Sequence, residues 1–254
     1  MATALIGHTG FVGGNIASQY AFDLCFNSTN IQEIENQNFD LLVIAAPSAA
    51  KWKANQEPEI DWGVMLSLMK ILKRVQAKQT VYLSTVDVYK SPINVNEDTE
   101  IRPEENQPYG KHRFLLEKFI RQHFSDHLIV RLPGLFGQGL KKNLIFDLLN
   151  DNCLDLTHKE SVFQYYSLEN IWRDIEKALV GGIHLINFAT EPTSVQEIAR
   201  LCFNKDFKTV TEKPPVSYNM RSNHDLLYNG KNGYLYNKNQ IIGQLKRFIE
   251  DYAK

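Results

Sequence analysis

The chain opens on an apolar run, Ala2-Thr3-Ala4-Leu5-Ile6, that leads directly into Gly7-His8-Thr9-Gly10-Phe11-Val12-Gly13. The run suits a buried parallel strand, and Phe11 to Tyr20 reads as a helix. This order, a strand followed by three glycines at a spacing of three and then a helix, constrains the fold more than any other feature. Gly7 permits the tight turn off the strand. Gly10 removes a side chain where backbone must approach phosphate, and Gly13 lets the helix pack close to the sheet. The helix N-terminus then faces the anion, as a dinucleotide pyrophosphate requires. Glycine triplets also occur in turns that bind nothing, so the flanking strand and helix carry the reading.

Beyond this unit, apolar runs alternate with helical patterns. Asp23–Phe26 reads as a short second strand and Asp40–Ala46, closed by Pro47, as a stronger one. A helix near Ile60–Gln76 is predicted to bury Ile60, Val64, Leu68 and Ile71 or Leu72 on one face. Thr80–Ser84 is the next strand, Pro108 opens a helix through Phe124, and His127–Leu132 is a further strand. Such alternation predicts an α/β fold, a doubly wound parallel sheet with ligands outside the carboxyl ends of its strands. The second half is less regular. Leu140–Leu149 and Leu168–Val180 read as helices and Gly182–Phe188 as a strand. Ser194 with Glu197 has the form of a capping box that starts a helix through Phe203. Residues 204–239 show weak periodicity, and a last amphipathic helix runs from about Gln240 to Tyr252. The expected organisation is a dinucleotide-binding domain over 1–135 and a small substrate-binding part over 136–254, with segments near 165–190 returning to the first sheet.

Composition excludes several function classes. With 254 residues, 43% hydrophobic content and a net charge of −1, the chain is long enough for a sizeable core and has no basic or acidic excess. No basic patch or charge run points to nucleic acid or an anionic membrane surface. Cys25, Cys153 and Cys202 are widely spaced and odd in number, which argues against a disulfide framework and a zinc site and for buried free thiols in a reducing cytoplasm. A strand that begins at residue 2 leaves no room for a targeting segment. The most apolar stretch, Leu41–Ala50, contains a proline and is too short to span a bilayer. A cytoplasmic location is therefore expected.

Two segments bear the chemistry. Ser84-Thr85-Val86-Asp87-Val88-Tyr89 lies at the carboxyl end of a strand, and Pro108-Tyr109-Gly110-Lys111-His112-Arg113 opens a helix. Tyr109 and Arg113, four apart, share a helix face. A cation there is expected to favour the phenolate and lower its pKa from about 10 toward working pH. A hydroxyl from Ser84 or Thr85 is placed to bond the same substrate oxygen. The set suits proton transfer at a carbinol or carbonyl while a nicotinamide takes or gives hydride.

Together these motifs resemble the extended short-chain dehydrogenase/reductase superfamily, a Rossmann-type fold. Within it they are most similar to the NAD-dependent epimerase/dehydratase family of nucleotide-sugar epimerases, dehydratases and reductases. The resemblance covers most of the chain. It implies that Tyr109 is the catalytic acid or base and Thr85 the hydroxyl that orients substrate. Gly7, Gly10, Phe11, Val12 and Gly13 would form the pyrophosphate loop, and Ala45, Ala46 and Pro47 would pass the adenosine ribose. Leu132 and Pro133 would sit beside the nicotinamide carboxamide, and Ser84, Tyr109 and Arg113 also count toward the cofactor site. Asp87, Lys141 and Arg221, with His224, are weaker substrate-site candidates, and no metal is expected. The implied cofactor is NAD or NADP, the implied substrate a nucleotide sugar, and the implied assembly a homodimer through the helices near Ile60–Gln76 and Pro108–Phe124.

The chain departs from the family at one important position. The family pattern has lysine four residues after the tyrosine, whereas this chain has Arg113, and Lys111 lies on another helix face. Arginine keeps the charge but is planar and fork-shaped. The resemblance gives that lysine two tasks, to bind the nicotinamide ribose hydroxyls and to lower the tyrosine pKa; either Arg113 performs both, or the protein binds dinucleotide as a weak or inactive regulatory or scaffold subunit. The second strand runs into Asn27-Ser28-Thr29-Asn30, with neither the acid that holds a ribose 2′-hydroxyl nor the base that holds a 2′-phosphate. Glu33 and Glu35 are expected on a solvated helix face. His8 is read as a loop residue or local cap as readily as a phosphate contact. His112 is read as partly exposed, Lys51, Trp52 and Lys53 as a solvated loop, and Gln164, Tyr165, Tyr166 and Trp172 as pocket lining or core.

Overall fold

The computed structural model describes residues 2–47 and 50–252. Ser48 and Ala49, inside the apolar stretch Leu41–Ala50, lie outside the described residues. A six-stranded parallel sheet is formed by β1 (Ala2–Ile6), β2 (Leu24–Phe26), β3 (Asn38–Ile44), β4 (Gln76–Thr85), β5 (His127–Leu132) and β6 (Leu185–Asn187). Their order across the sheet is β6-β5-β4-β3-β1-β2, so the winding reverses between β1 and β3. Ligands of open α/β sheets sit outside the strand ends at such a reversal. The helices are α1 (Phe11–Ala17), α2 (Lys51–Gln56), α3 (Pro58–Leu72), α4 (Pro108–His123), α5 (Leu144–Asn150), α6 (Ile171–Val180), α7 (Val195–Phe203) and α8 (Lys238–Tyr252).

The chain divides into two compact units. The first comprises Met1–Lys90, Thr99–Arg131 and Ile171–Ile186, and the second Ser91–Asp98, Leu132–Asn170 and Asn187–Lys254. In the first unit, Ile6, Leu42 and Ile44 of the sheet pack against Met65 and Leu72 of α3 and Leu116 of α4. The expected apolar face of α3 is rotated. Leu68, Ile71 and Leu72 are buried, but Met65 takes the inward position, and Ile60 and Val64 are exposed. The helix also ends at Leu72 because β4 begins at Gln76 rather than Thr80. At the start of α1 the glycine spacing is explained by contact distance: a Cβ on Gly13 would lie 2.1 Å from the Gly7 carbonyl oxygen. Tyr20, Phe22 and Trp172 form an aromatic cluster beside α1 and α6.

The second unit is built from short pairings. Gly134–Phe136 runs parallel to Tyr165–Ser167, and Val162–Phe163 antiparallel to Thr193–Ser194. Gln164 is core: its amide exchanges two hydrogen bonds of 2.7 Å with the Met220 backbone. Tyr165 and Tyr166 are buried beside it. The helix expected from Leu140 begins at Leu144, because the Asn143 side chain caps it by accepting from the N–H of Ile145 and Phe146. Ser194 and Glu197 form the capping box that starts α7.

A buried ion pair fastens the first unit internally. Glu117 of α4 accepts from Arg131 of β5 at 3.0 Å and 2.7 Å, one bond to each carboxylate oxygen. Ser84, near the end of β4, donates to the same carboxylate at 2.5 Å, and Arg131 also donates to the Tyr89 hydroxyl at 2.7 Å. Removing one partner of such a pair leaves an uncompensated buried charge. Arg131→Met should therefore lower the unfolding free energy by about 3–5 kcal/mol in urea titrations, while Lys111→Ala on the exposed face should change it by less than about 0.5 kcal/mol.

Candidate active site

The candidate site of the first unit forms where β4 ends and α4 begins. After Ser84-Thr85 the chain makes a single 3-10 turn, Val86–Val88, which Thr85 caps by accepting from the Asp87 N–H at 3.2 Å. Pro108 occupies the first turn of α4, where a missing N–H costs nothing. Two asparagines join these segments. The Asn106 amide donates to the carbonyls of Asp87 at 2.9 Å and Val88 at 2.8 Å. Asn55 of α2 accepts the Tyr109 N–H at 3.0 Å. Gly110 completes the junction, since a Cβ there would lie 1.9 Å from the Asp87 carbonyl oxygen. The Tyr-Gly pair thus brings α4 onto the turn after Thr85.

The result is a compact set of functional groups. The Thr85 side chain lies close enough to the Tyr109 phenol to favour its anion. The Arg113 guanidinium lies over the Tyr109 ring, 4.0 Å from its centroid. Asp87 Oδ2 is 3.4 Å from the Thr85 hydroxyl, and Asp87 Oδ1 pairs with Lys51 at 2.7 Å. Lys51 is accordingly the first residue of α2 and ion-paired, not part of a solvated loop. Ser84 turns the other way, into the Glu117 pair, so Thr85 is the hydroxyl beside Tyr109.

Two expectations are corrected here. Burial pushes the Tyr109 phenol above its ordinary value of 10.0, instead of the neighbouring cation pulling it below. Arg113 is the largest opposing influence, Asp87 adds to the rise, and Thr85 and Lys51 work against it. In an almost fully buried position the cost of desolvating a phenolate exceeds what one stacked cation returns. His112 is buried rather than partly exposed, because its Nδ1 lies 2.8 Å from Asp61 Oδ2. That same oxygen accepts from Arg113 Nη1 at 2.6 Å. Asp61, Asn55 and Asn106 were not legible as site residues. Their partners lie 51, 54 and 19 residues away in sequence, and no local motif announces them.

The glycine loop offers a donor set that fits a pyrophosphate. Gly10 caps α1 without any side-chain hydrogen bond, which leaves the first-turn N–H groups of Phe11, Val12 and Gly13 uncapped by a side chain. Ala45 belongs to the same neighbourhood, since a Cβ on Gly7 would lie 2.4 Å from its carbonyl oxygen; Ala46 and Pro47 follow it directly. His8 serves locally, its Nδ1 lying 3.1 Å from the Phe26 carbonyl. After β2, Asn27 and Asn30 satisfy one another's turn: the Asn30 side chain accepts the Asn27 N–H, and Asn27 accepts from Thr29. Glu33 lies on a 3-10 turn rather than an α-helix, and Glu35, just past it, pairs with Arg74. Leu132, Pro133, Lys141 and Arg221 belong to the second unit. Leu132 is buried there, Lys141 is exposed, and Arg221 is exposed with its guanidinium over the Tyr234 ring. Cys25, Cys153 and Cys202 are free thiols, but none is buried as expected: Cys153 is exposed and the other two are half-buried. Among the described residues no helix is long and apolar enough to cross a membrane.

The model of the NAD dependent epimerase/dehydratase family matches residues 18–164. No functionally curated protein matches the sequence. Among solved structures, the fold is similar to a dTDP-4-dehydrorhamnose reductase from Clostridium acetobutylicum, with a TM-score of 0.74 at 19% identity and 100% of each chain covered. It is similar to UDP-glucose 4-epimerase from Thermotoga maritima, solved with UDP-glucose, with a TM-score of 0.74 at 15% identity over 100% of this chain and 99% of that one. A dTDP-4-dehydrorhamnose reductase from Bacillus anthracis, in complex with NADP, gives a TM-score of 0.76 at 15% identity over 99% of each chain.

The Gly110 contact allows a direct check on the junction. Gly110→Ala should force α4 away from the turn after Thr85, lower stability by about 1–3 kcal/mol in chemical denaturation, and separate Tyr109 from Thr85. Gly63→Ala on α3, where a Cβ meets nothing within 4 Å, should be neutral or slightly stabilising.

Proposed function

Because the chain belongs to the NAD dependent epimerase/dehydratase family, we propose that it is an NAD(P)-dependent enzyme that oxidises or reduces a carbinol carbon of a nucleotide-linked sugar. The reaction class is an epimerase, dehydratase or 4-keto reductase. The observation that carries the reading is the adjacency of Thr85, Tyr109 and Arg113 at the carboxyl end of β4. A bound nicotinamide supplies the hydride acceptor or donor. Tyr109 gives or takes the proton of the sugar oxygen, and Thr85 orients that oxygen by a hydrogen bond. Arg113, against the ring, works in favour of the phenolate and against the effect of burial. Asp87, held by Lys51, is a second proton carrier beside Thr85.

Gly7, Gly10, Phe11, Val12 and Gly13 are proposed to hold the pyrophosphate of NAD or NADP, and Ala45, Ala46 and Pro47 to pass its adenosine ribose. Leu132 and Pro133 would border the nicotinamide, and Lys141 and Arg221 would take the substrate diphosphate. The dTDP- and UDP-sugar enzymes of like fold support the substrate class. A second reading, dinucleotide binding without turnover, draws on the burial of Arg113 and its bond to Asp61. Tyr109→Phe separates them. It should reduce turnover on nucleotide sugars by about 10²–10⁴-fold and leave dinucleotide binding intact. Undiminished turnover would remove Tyr109 from the mechanism. Dinucleotide binding by the unaltered protein with no turnover on any nucleotide sugar would favour the second reading.

We also propose a homodimer through the face of α3 that carries the exposed Ile60 and Val64. Val64→Asp should convert the assembly to a monomer of 29.2 kDa by light scattering.

A further inference from the structure

We infer that Asp61 is a positioning residue for proton transfer: its carboxylate holds the Arg113 guanidinium over the Tyr109 ring. The inference rests on the reading of Tyr109 as the acid or base. Asp61 lies in the first turn of α3, 52 residues before Arg113 in sequence, and its Oδ2 accepts from Arg113 Nη1 at 2.6 Å. Arg113 is buried, and the side chain of Asp61 is only 12% exposed, so the bond is made where water competes weakly.

Geometry explains why the contact matters. An arginine four residues after a tyrosine has many rotamers, most of which direct the guanidinium along the helix or out to solvent. The 4.0 Å approach of the guanidinium carbon to the ring centroid requires the side chain to stay directed back over the tyrosine. The Tyr109 carbonyl, at 3.5 Å from Nη1, is too distant to hold it there. Asp61 adds a short, charge-assisted bond to the same nitrogen. His112 fixes Asp61 in turn, since its Nδ1 reaches the same oxygen at 2.8 Å and the Trp62 ring lies 5.1 Å from the imidazole. The Trp62–His112 ring contact and the carboxylate thus form a backing for the cation. Among the charges acting on the Tyr109 phenol, Arg113 is the strongest in favour of its anion. Asp61 acts on the phenol through that cation.

The test follows the Tyr109 phenol directly, in the full-length protein labelled with 3-fluorotyrosine, which brings phenol titration down into the range where the fold persists. The ¹⁹F resonance of Tyr109 is assigned by its loss in Tyr109→Phe, and the exposed Tyr252 serves as reference. Asp61→Asn should release the guanidinium from the ring and raise the Tyr109 titration midpoint by about one pH unit. The pH profile of kcat should move in the same direction. A midpoint that stays put, or that falls because a carboxylate has been removed nearby, overturns the inference. Should Asp61→Asn fail to fold, Arg113→Lys reads the same contact. A lysine keeps the ion pair with Asp61 but has no plane to lay on the ring, so the midpoint should again rise; an unchanged midpoint overturns the inference. The titration needs neither cofactor nor sugar. A wrong assignment of Tyr109 as acid or base appears separately, as undiminished turnover in Tyr109→Phe.

Discussion

The arrangement of the first unit depends on the buried pair between Glu117 and Arg131. Each ion costs several kcal/mol to take out of water, and attraction alone does not return that cost. Here the carboxylate accepts two bonds from Arg131 and one from Ser84, and Arg131 also donates to Tyr89. The pair is thereby satisfied from α4, β5, the end of β4 and the turn that follows. Those are the elements that carry Thr85 and Tyr109. Apolar packing brings α4 onto the sheet, but a smooth face of leucine and isoleucine tolerates sliding. A directional ion pair with a fixed set of partners does not, so it sets the register in which Tyr109 meets Thr85.

What was legible in the sequence is what depends on neighbours in the chain. The glycine loop, the Ser194–Glu197 capping box and the Tyr109–Arg113 face all follow from spacings of three or four residues, and each is present. The face of α3 was misassigned because Ile60, Val64 and Met65 are all apolar. Periodicity alone does not decide which of two adjacent stripes faces inward. Lys51, His112 and Ser84 were misread or left open for one shared reason. Each is placed by a partner far away in sequence: Asp87, Asp61 and Glu117 respectively. Polar residues at a site are assigned by such partners, and composition or period carries no trace of them.

The electrostatics of the site run opposite to the simplest expectation. A cation beside a phenol lowers its pKa in water, yet Tyr109 stays protonated more firmly than a free tyrosine because it is buried. The two effects are linked, since burial that penalises the phenolate also strengthens every interaction that favours it. A ligand that closes over the site changes that balance, and so does any movement of Arg113 or Asp87.

An arginine where the family pattern has lysine changes how the cation beside Tyr109 is held. A flexible ammonium reaches its targets as a point charge, whereas a guanidinium needs a surface to lie on and an acceptor to hold its edge. Tyr109 provides the surface and Asp61 the acceptor. Because Asp61 also binds His112, the acceptor is not free to follow the arginine if it moves. The substitution at 113 is therefore tied to two residues on different helices, Asp61 of α3 and His112 of α4. An arginine introduced at this position without them would carry the same charge but lack the support that keeps it on the ring.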